Sequence, residues 1–139
     1  MKYILIFILF SLPKIIFAQQ DLSLKQFVDN WIGKPYRYGG VNEKGIDCSA
    51  FVQKLYREVY NKIIPRTCKH QHLDSERVDL SDIKIGDIIF FSSRVSPSGW
   101  HVGVYIGNDE FVHSANYKDG VKISCLFDYL KIFKGLGRY

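Results

Sequence analysis

The sequence predicts an α+β domain in which helices lead and an antiparallel sheet follows. Three observations carry that expectation. Apolar residues in the first half recur at helical spacing, at Leu24, Phe27, Val28 and Trp31, and again at Phe51, Val52, Leu55, Tyr56 and Val59. The second half breaks into short runs rich in β-branched and aromatic residues, separated by Gly, Asn and Asp turns. Helices that precede the strands, instead of alternating with them, argue for segregated layers. The 139 residues suit one domain, and 47% apolar with 15% aromatic content is enough for a core.

The first residues differ in kind. Lys2 precedes the apolar run from Tyr3 to Phe10, Ser11 to Phe17 follow, and Ala18 stands before Gln19-Gln20. A basic start, a short apolar run and a small residue at its end predict a secretory signal peptide, residues 1–18, cut after Ala18, with 19–139 as a single domain. Pro13 and Lys14 interrupt the run, which is short for a membrane span, and an uncleaved anchor is the alternative. No Cys follows the run to accept a lipid, and no stable membrane insertion is expected of the mature chain. The formal charge of +5 becomes +3 when Lys2 and Lys14 leave with no acid. The remaining basic residues are scattered, form no stripe, and point to no nucleic-acid partner. Three cysteines in an exported chain cannot all pair internally. A Cys68–Cys125 bridge that leaves Cys48 free is allowed by the sequence but not required by it.

Taken in order, the first mature helix is expected to open at Ser23, with Gln26 completing a capping box, and to end at Gly33 before Pro35. Tyr36-Arg37-Tyr38-Gly39-Gly40 reads as a loop brought close to other backbone. Gly45 suits a tight turn into the second helix, and Asp47 is its N-cap. That places Cys48 in the first turn, where unpaired backbone N–H groups and the positive dipole end favour a thiolate. Core packing is the competing reading, because Cys48 shares a stripe with Phe51, Val52 and Leu55. Residues 61–81 are polar and irregular, with Ile63-Ile64-Pro65-Arg66 as an apolar foothold, and should wrap the surface. Cys68, His70 and His72 alternate there without the paired spacing of a structural zinc site, so no metal is expected.

The strands are expected at Ile88–Phe91, His101–Ile106, Glu110–Ala115, Val121–Ser124 and Leu136–Tyr139. His101 and His113 fall in neighbouring strands, so registry decides whether they share a face. A three-residue loop, Gly107-Asn108-Asp109, with a bulge at Asn108 or Asp109, pairs His113 with Gly103. His101, Gly103, Tyr105, Phe111, His113 and Ala115 then share one face, and Val102, Val104, Ile106 and Val112 the other. The small residues Gly103 and Ala115 would let a helix approach beside the histidines. A two-residue Gly107-Asn108 turn would instead align His113 with the valines. A thiol at a helix start, an imidazole to take its proton and a second polar group to orient that imidazole form an activated nucleophile suited to acyl transfer.

Pro35-Tyr36-Arg37-Tyr38-Gly39-Gly40, Gly45-Ile46-Asp47-Cys48-Ser49, Pro65-Arg66-Thr67, Gly86-Asp87-Ile88-Ile89-Phe90-Phe91, His101 to Gly107 and Phe111-Val112-His113-Ser114 occur in this order and spacing. From about Phe27 to Tyr139 the chain thereby resembles the NlpC-type cell-wall peptidases, papain-like cysteine endopeptidases that cut peptidoglycan stem peptides. The resemblance implies a papain-like fold, Cys48 as nucleophile, His101 as general base and later acid, and His113 as the residue that orients His101. It further implies that the Tyr36 hydroxyl helps hold the oxyanion, that Asp47 and Ser49 line the substrate cleft, and that no cofactor is needed. The implied protein is an exported murein endopeptidase of the periplasm or cell envelope, or one secreted from the cell, working through a thioester acyl-enzyme on stem-peptide or cross-link amide bonds. An antibacterial amidase with a neutralising partner, or a non-catalytic wall-binding module, are the alternatives; the full set of Cys48, His101 and His113 argues against the module. The chain departs from the family pattern at Cys68, where Ser or Thr is common, which puts a second thiol near the cleft. Separate wall-binding domains, carried by many relatives, find no counterpart in this sequence, so wall targeting would rest on the catalytic domain, its weak positive charge or a partner.

Overall fold

Helix α1 runs unbroken from Lys2 to Trp31 in the computed structural model, which describes residues 2–139. The expected helix start at Ser23 is therefore absent: its hydroxyl donates to the Gln19 carbonyl at 2.9 Å, one turn back, because Ser23 lies inside a continuous helix. The C-terminal end is as expected, with Gly33 in the left-handed region at φ 81°. Leu24, Phe27, Val28 and Trp31 are buried, and the Phe27 and Trp31 rings lie 5.7 and 6.0 Å from that of Phe51. Among the described residues, no helix is long and apolar enough to cross a membrane.

Two short strands, β1 (Val41–Asn42) and β2 (Gly45–Ile46), form a hairpin, and Tyr36 bridges to Ile46 beside it. The glycine before β1 meets the close approach foreseen for it: a Cβ on Gly40 would lie 2.2 Å from the Gly45 carbonyl oxygen. Helix α2 (Cys48–Val59) follows and buries Phe51, Val52, Leu55 and Tyr56. Residues 61–81 do not simply wrap the surface. They form α3 (Cys68–Asp74), strand β3 (Glu76–Val78) and a 3₁₀ turn at Leu80–Asp82. No apolar stripe announces α3 because its anchor is polar: the fully buried Gln71 amide donates to the Ser49 carbonyl at 3.0 Å and to the Pro65 carbonyl at 2.8 Å.

Strands β4 (Ile88–Ser92), β5 (Trp100–Gly107), β6 (Glu110–Ser114) and β7 (Val121–Cys125) make an antiparallel meander. A 3₁₀ segment, Leu126–Ile132, then returns the chain to β8 (Phe133–Arg138), giving a six-stranded sheet in the order β3-β8-β4-β5-β6-β7. The α+β class with helices packed on an antiparallel sheet is the one the sequence predicts.

The pairing of β5 with β6 matches Val104 to Val112 and Tyr105 to Phe111, so Gly103 lies opposite His113 as expected. The turn differs. Asn108 and Asp109, at φ 52° and 59°, form a two-residue connection, Gly107 pairs with Glu110, and the extra residue is Ile106. Two successive left-handed residues match the strand twist, so the irregularity moves into β5.

The valine face, not the histidine face, receives the helices. Phe51, Val52 and Leu55 share one core with Val102, Val104 and Val112, because a continuous apolar face suits the stripe of α2. The other face holds Ile89, Phe91, Tyr105 and Phe111 beneath the 3₁₀ segment, which contributes Leu126. Gly103 makes room across the strands: a Cβ there would lie 2.6 Å from the Phe111 ring and 3.2 Å from the His113 Cβ.

Candidate active site

Cys48 is the first residue of α2, and Asp47 caps that helix by accepting from the Ala50 N–H at 2.8 Å. The cap is tied down elsewhere. Asp47 also accepts from the Gly39 N–H at 3.1 Å, from Arg66 at 3.0 and 2.7 Å, and from the Ser49 hydroxyl at 3.2 Å. One carboxylate thus fixes the start of α2 to the Tyr36 loop and to the irregular segment leading into α3.

The thiol of Cys48 sits 3.5 Å from that of Cys68, and the His101 imidazole on β5 stands close enough for its charge to act on that thiol. A hydrogen bond from Cys68, then the adjacent imidazole of His101 and its positive charge, hold Cys48 well below the ordinary thiol range despite burial. Cys68 is driven the other way, first by that hydrogen bond and then by burial, so it keeps its proton and acts as donor. Cys48 is thus held as a thiolate, with a thiol and an imidazole beside it. Cys125 is exposed, and all three cysteines are free: Cys68 has turned toward Cys48, so the Cys68–Cys125 bridge does not form.

His101 Nε2 lies 2.6 Å from His113 Nδ1, and His113 Nε2 lies 2.9 Å from the Ser124 hydroxyl. His113 is 1% exposed, and burial, followed by the charges of His101 and Lys122, pushes it well below the ordinary imidazole range. A neutral His113 can accept the proton of a charged His101, which is what an orienting residue must do.

Tyr36, Tyr38, Asp47, Cys48, Ser49 and Arg66 border a cleft of about 300 Å³. Burial, then the charges of Cys48 and Asp47, push the Tyr36 phenol up, so it is a hydrogen-bond donor at neutral pH. A second groove, of about 560 Å³, passes His101 and His113 and is bordered by Arg94 and Lys131. His70 is a local partner of Thr67 at 2.8 Å, and the His72 ring packs 5.0 Å from both Phe90 and Trp100. Among the described residues no group of three or more His, Cys, Asp or Glu side chains converges on a metal position.

All six site residues read from the sequence border one of these two clefts. Two partners escaped that reading. Arg66 has the motif Pro65-Arg66-Thr67 as its only signal, and Ser124 becomes visible only when β6 and β7 are placed in register.

The family model described as NlpC/P60 family matches residues 33–131. The chain belongs to the NlpC/P60 family. It is 43% identical over 103 residues to the Escherichia coli K12 protein named murein DD-endopeptidase MepS/murein LD-carboxypeptidase, covering 74% of this chain and 53% of that one. To a Haemophilus influenzae protein named probable endopeptidase it is 42% identical over 96 residues, 69% of this chain and 59% of the relative. This NlpC/P60 chain thus spans little more than half the length of these curated relatives. Among solved structures, an NlpC/P60 family protein from Bacillus cereus superposes with a TM-score of 0.76 at 30% identity, over 86% of this chain and 40% of that one. NlpC1 from Trichomonas vaginalis gives 0.75 at 29% identity, over 88% and 45%. The helices on an antiparallel sheet are therefore the papain-like α+β fold of NlpC/P60 domains.

Proposed function

We propose that this protein is an exported peptidoglycan endopeptidase of the cysteine type, with Cys48 as nucleophile, His101 as base and acid, and His113 as the residue that orients His101. The observation that carries the reading is a depressed thiol at the start of α2, acted on by the imidazole of His101, whose Nε2 is 2.6 Å from a second, neutral imidazole. The name of the E. coli relative supplies the substrate class, and the names of both relatives the endopeptidase activity.

In the proposed reaction the Cys48 thiolate attacks the amide carbonyl carbon. The Tyr36 hydroxyl and backbone N–H groups at the start of α2 face the developing oxyanion. His101 gives its proton to the leaving amine as the C–N bond breaks, which leaves a thioester. Water then attacks that thioester, His101 takes the proton, and the C–S bond breaks to restore the thiolate. Cys48 borders the cleft with Tyr36 and Arg66, whereas His101 borders the groove with Arg94 and Lys131. The acyl part of the substrate accordingly occupies the first, and the amine part the second. Two cations and no acid in that groove suit an amine component that carries a free carboxylate. Export rests on Lys2, the apolar run and Ala18 before Gln19.

The test is mass spectrometry of soluble fragments released from purified peptidoglycan by the protein and by Cys48→Ala. Fragments ending at D-glutamate, released by the parent protein alone, mean stem-peptide cleavage, and monomers released from dimers mean cross-link cleavage. Equal digestion by Cys48→Ala would refute the assignment.

A further inference from the structure

We propose that Ser124 is a positioning residue that sets the tautomer of His113, and thereby lets His101 hold the proton on which the Cys48 thiolate depends. This rests on the reading of Cys48 and His101 given above. The argument is a proton count along one line of atoms. His101 Nε2 and His113 Nδ1 are 2.6 Å apart, and one hydrogen lies between them. When His101 is an imidazolium facing the thiolate, both of its nitrogens carry hydrogen, so the hydrogen between the rings belongs to His101 and His113 Nδ1 must be bare. A neutral His113 then carries its own hydrogen on Nε2. That nitrogen points at the Ser124 hydroxyl, 2.9 Å away, which must therefore accept.

The sheet makes this contact by registry. His113 pairs with Lys122 and Phe111 with Ser124, so Lys122 and Ser124 stand on the His113 face of β7. His113 is held neutral by burial and by the positive groups that face it, His101 from β5 and Lys122 from β7, against the weaker opposite pull of Asp119. From the 3₁₀ segment the Tyr129 ring packs edge-on at 5.6 Å, and Phe111 lies at 4.6 Å on the same strand. Within this wall the Ser124 oxygen is the hydrogen-bond partner of His113 Nε2. Without it, the other tautomer would turn an N–H toward the N–H of a charged His101, and the imidazolium would lose its acceptor.

The experiment has two readouts on the full chain. Nitrogen-15 NMR of the imidazoles in the wild-type protein should show His113 neutral with its hydrogen on Nε2. A hydrogen on Nδ1 while Cys48 is a thiolate would overturn the proposal, and that result needs neither substrate nor a variant. Ser124→Ala should then move the onset of Cys48 alkylation by iodoacetamide to higher pH, and lower kcat by roughly tenfold to a hundredfold with little change in KM, the scale carried by outer partners of a functional imidazole. Ser124→Thr, which keeps the hydroxyl, should restore both. Equal losses in Ser124→Ala and Ser124→Thr, or an unshifted alkylation profile in Ser124→Ala, would reduce the residue to a packing role. Digestion by Cys48→Ala in the same assay would instead refute the underlying active-site reading, whatever the tautomer.

Discussion

Gly103 is the position where the sheet's packing and the site's chemistry are most tightly joined, and Gly103→Ala separates the two. A methyl group there would sit 2.6 Å from the Phe111 ring, 2.9 Å from the Val112 carbonyl oxygen and 3.2 Å from the His113 Cβ. The first two contacts are well inside van der Waals distance, and neither neighbour is the free end of a flexible chain. Phe111 is fully buried and packed against the tilted Phe91 ring at 5.0 Å, and the Val112 carbonyl belongs to β6. Overpacking of this kind costs about 1–3 kcal/mol. Unfolding entropy of roughly 2.1 cal/mol/K per residue, over 139 residues, makes 1 kcal/mol worth about 3 °C, so Tm should fall by about 3–10 °C. β6 can relieve the clash only by moving away from β5, which lengthens the 2.6 Å contact between His101 and His113. Catalysis should therefore fall more than stability predicts, by about tenfold in kcat at a temperature where the variant is fully folded. Differential scanning calorimetry and a peptidoglycan-fragment assay would read the two effects. An unchanged Tm would refute the packing argument. A lowered Tm with unchanged kcat would refute the coupling to the imidazole pair.

Cys68→Ala should move the alkylation of Cys48 to higher pH by removing a donor thiol 3.5 Å away, and superposable profiles would contradict the donor assignment. The same pair should respond to hydrogen peroxide: Cys48 takes one oxygen as a sulfenic acid, Cys68 displaces it as water, and the protein loses two hydrogens in a change that dithiothreitol reverses. Cys68→Ser should stop at the added oxygen, and a mass unaffected by that substitution would exclude Cys68 as the resolving thiol. Asp47→Ala should cost about 2–3 kcal/mol in urea denaturation, about 1 from the cap and the rest from its bonds to Gly39 and Arg66, with the ion pair discounted because Arg66 is partly exposed. Asp47→Asn keeps the cap, so it should cost about half as much; an equal cost would mean that the charge is what matters. His113 is depressed in the fold, so below about pH 6.5 the unfolded chain binds a proton that the folded chain refuses. Stability should thus be complete above that value and decline, by up to about 1.4 kcal/mol per pH unit, as pH falls toward the folded value. His113→Gln should flatten that part of the curve, and an unchanged slope would show that His113 is not its source.

Elements whose signal is local can be read from the residues alone. α2 was legible because an N-cap residue precedes an apolar stripe of helical period, and that placed Cys48 in the first turn before any tertiary contact was known. The shared face of His101 and His113 followed from the period of two along each strand and a registry that keeps valines together. Contacts between remote segments belonged to the tertiary structure. α3 carries no local signature because it is anchored by a buried glutamine and not by an apolar stripe, and only its docking brings Cys68 beside Cys48 and Arg66 onto Asp47. The face of the sheet that receives α2 was also decided there: the wide valine surface buries more apolar area than the narrow gap at Gly103, which Phe111 and His113 already fill. Ser124 reaches His113 only across the pairing of β6 with β7, a relation between strands that no single strand's residues encode.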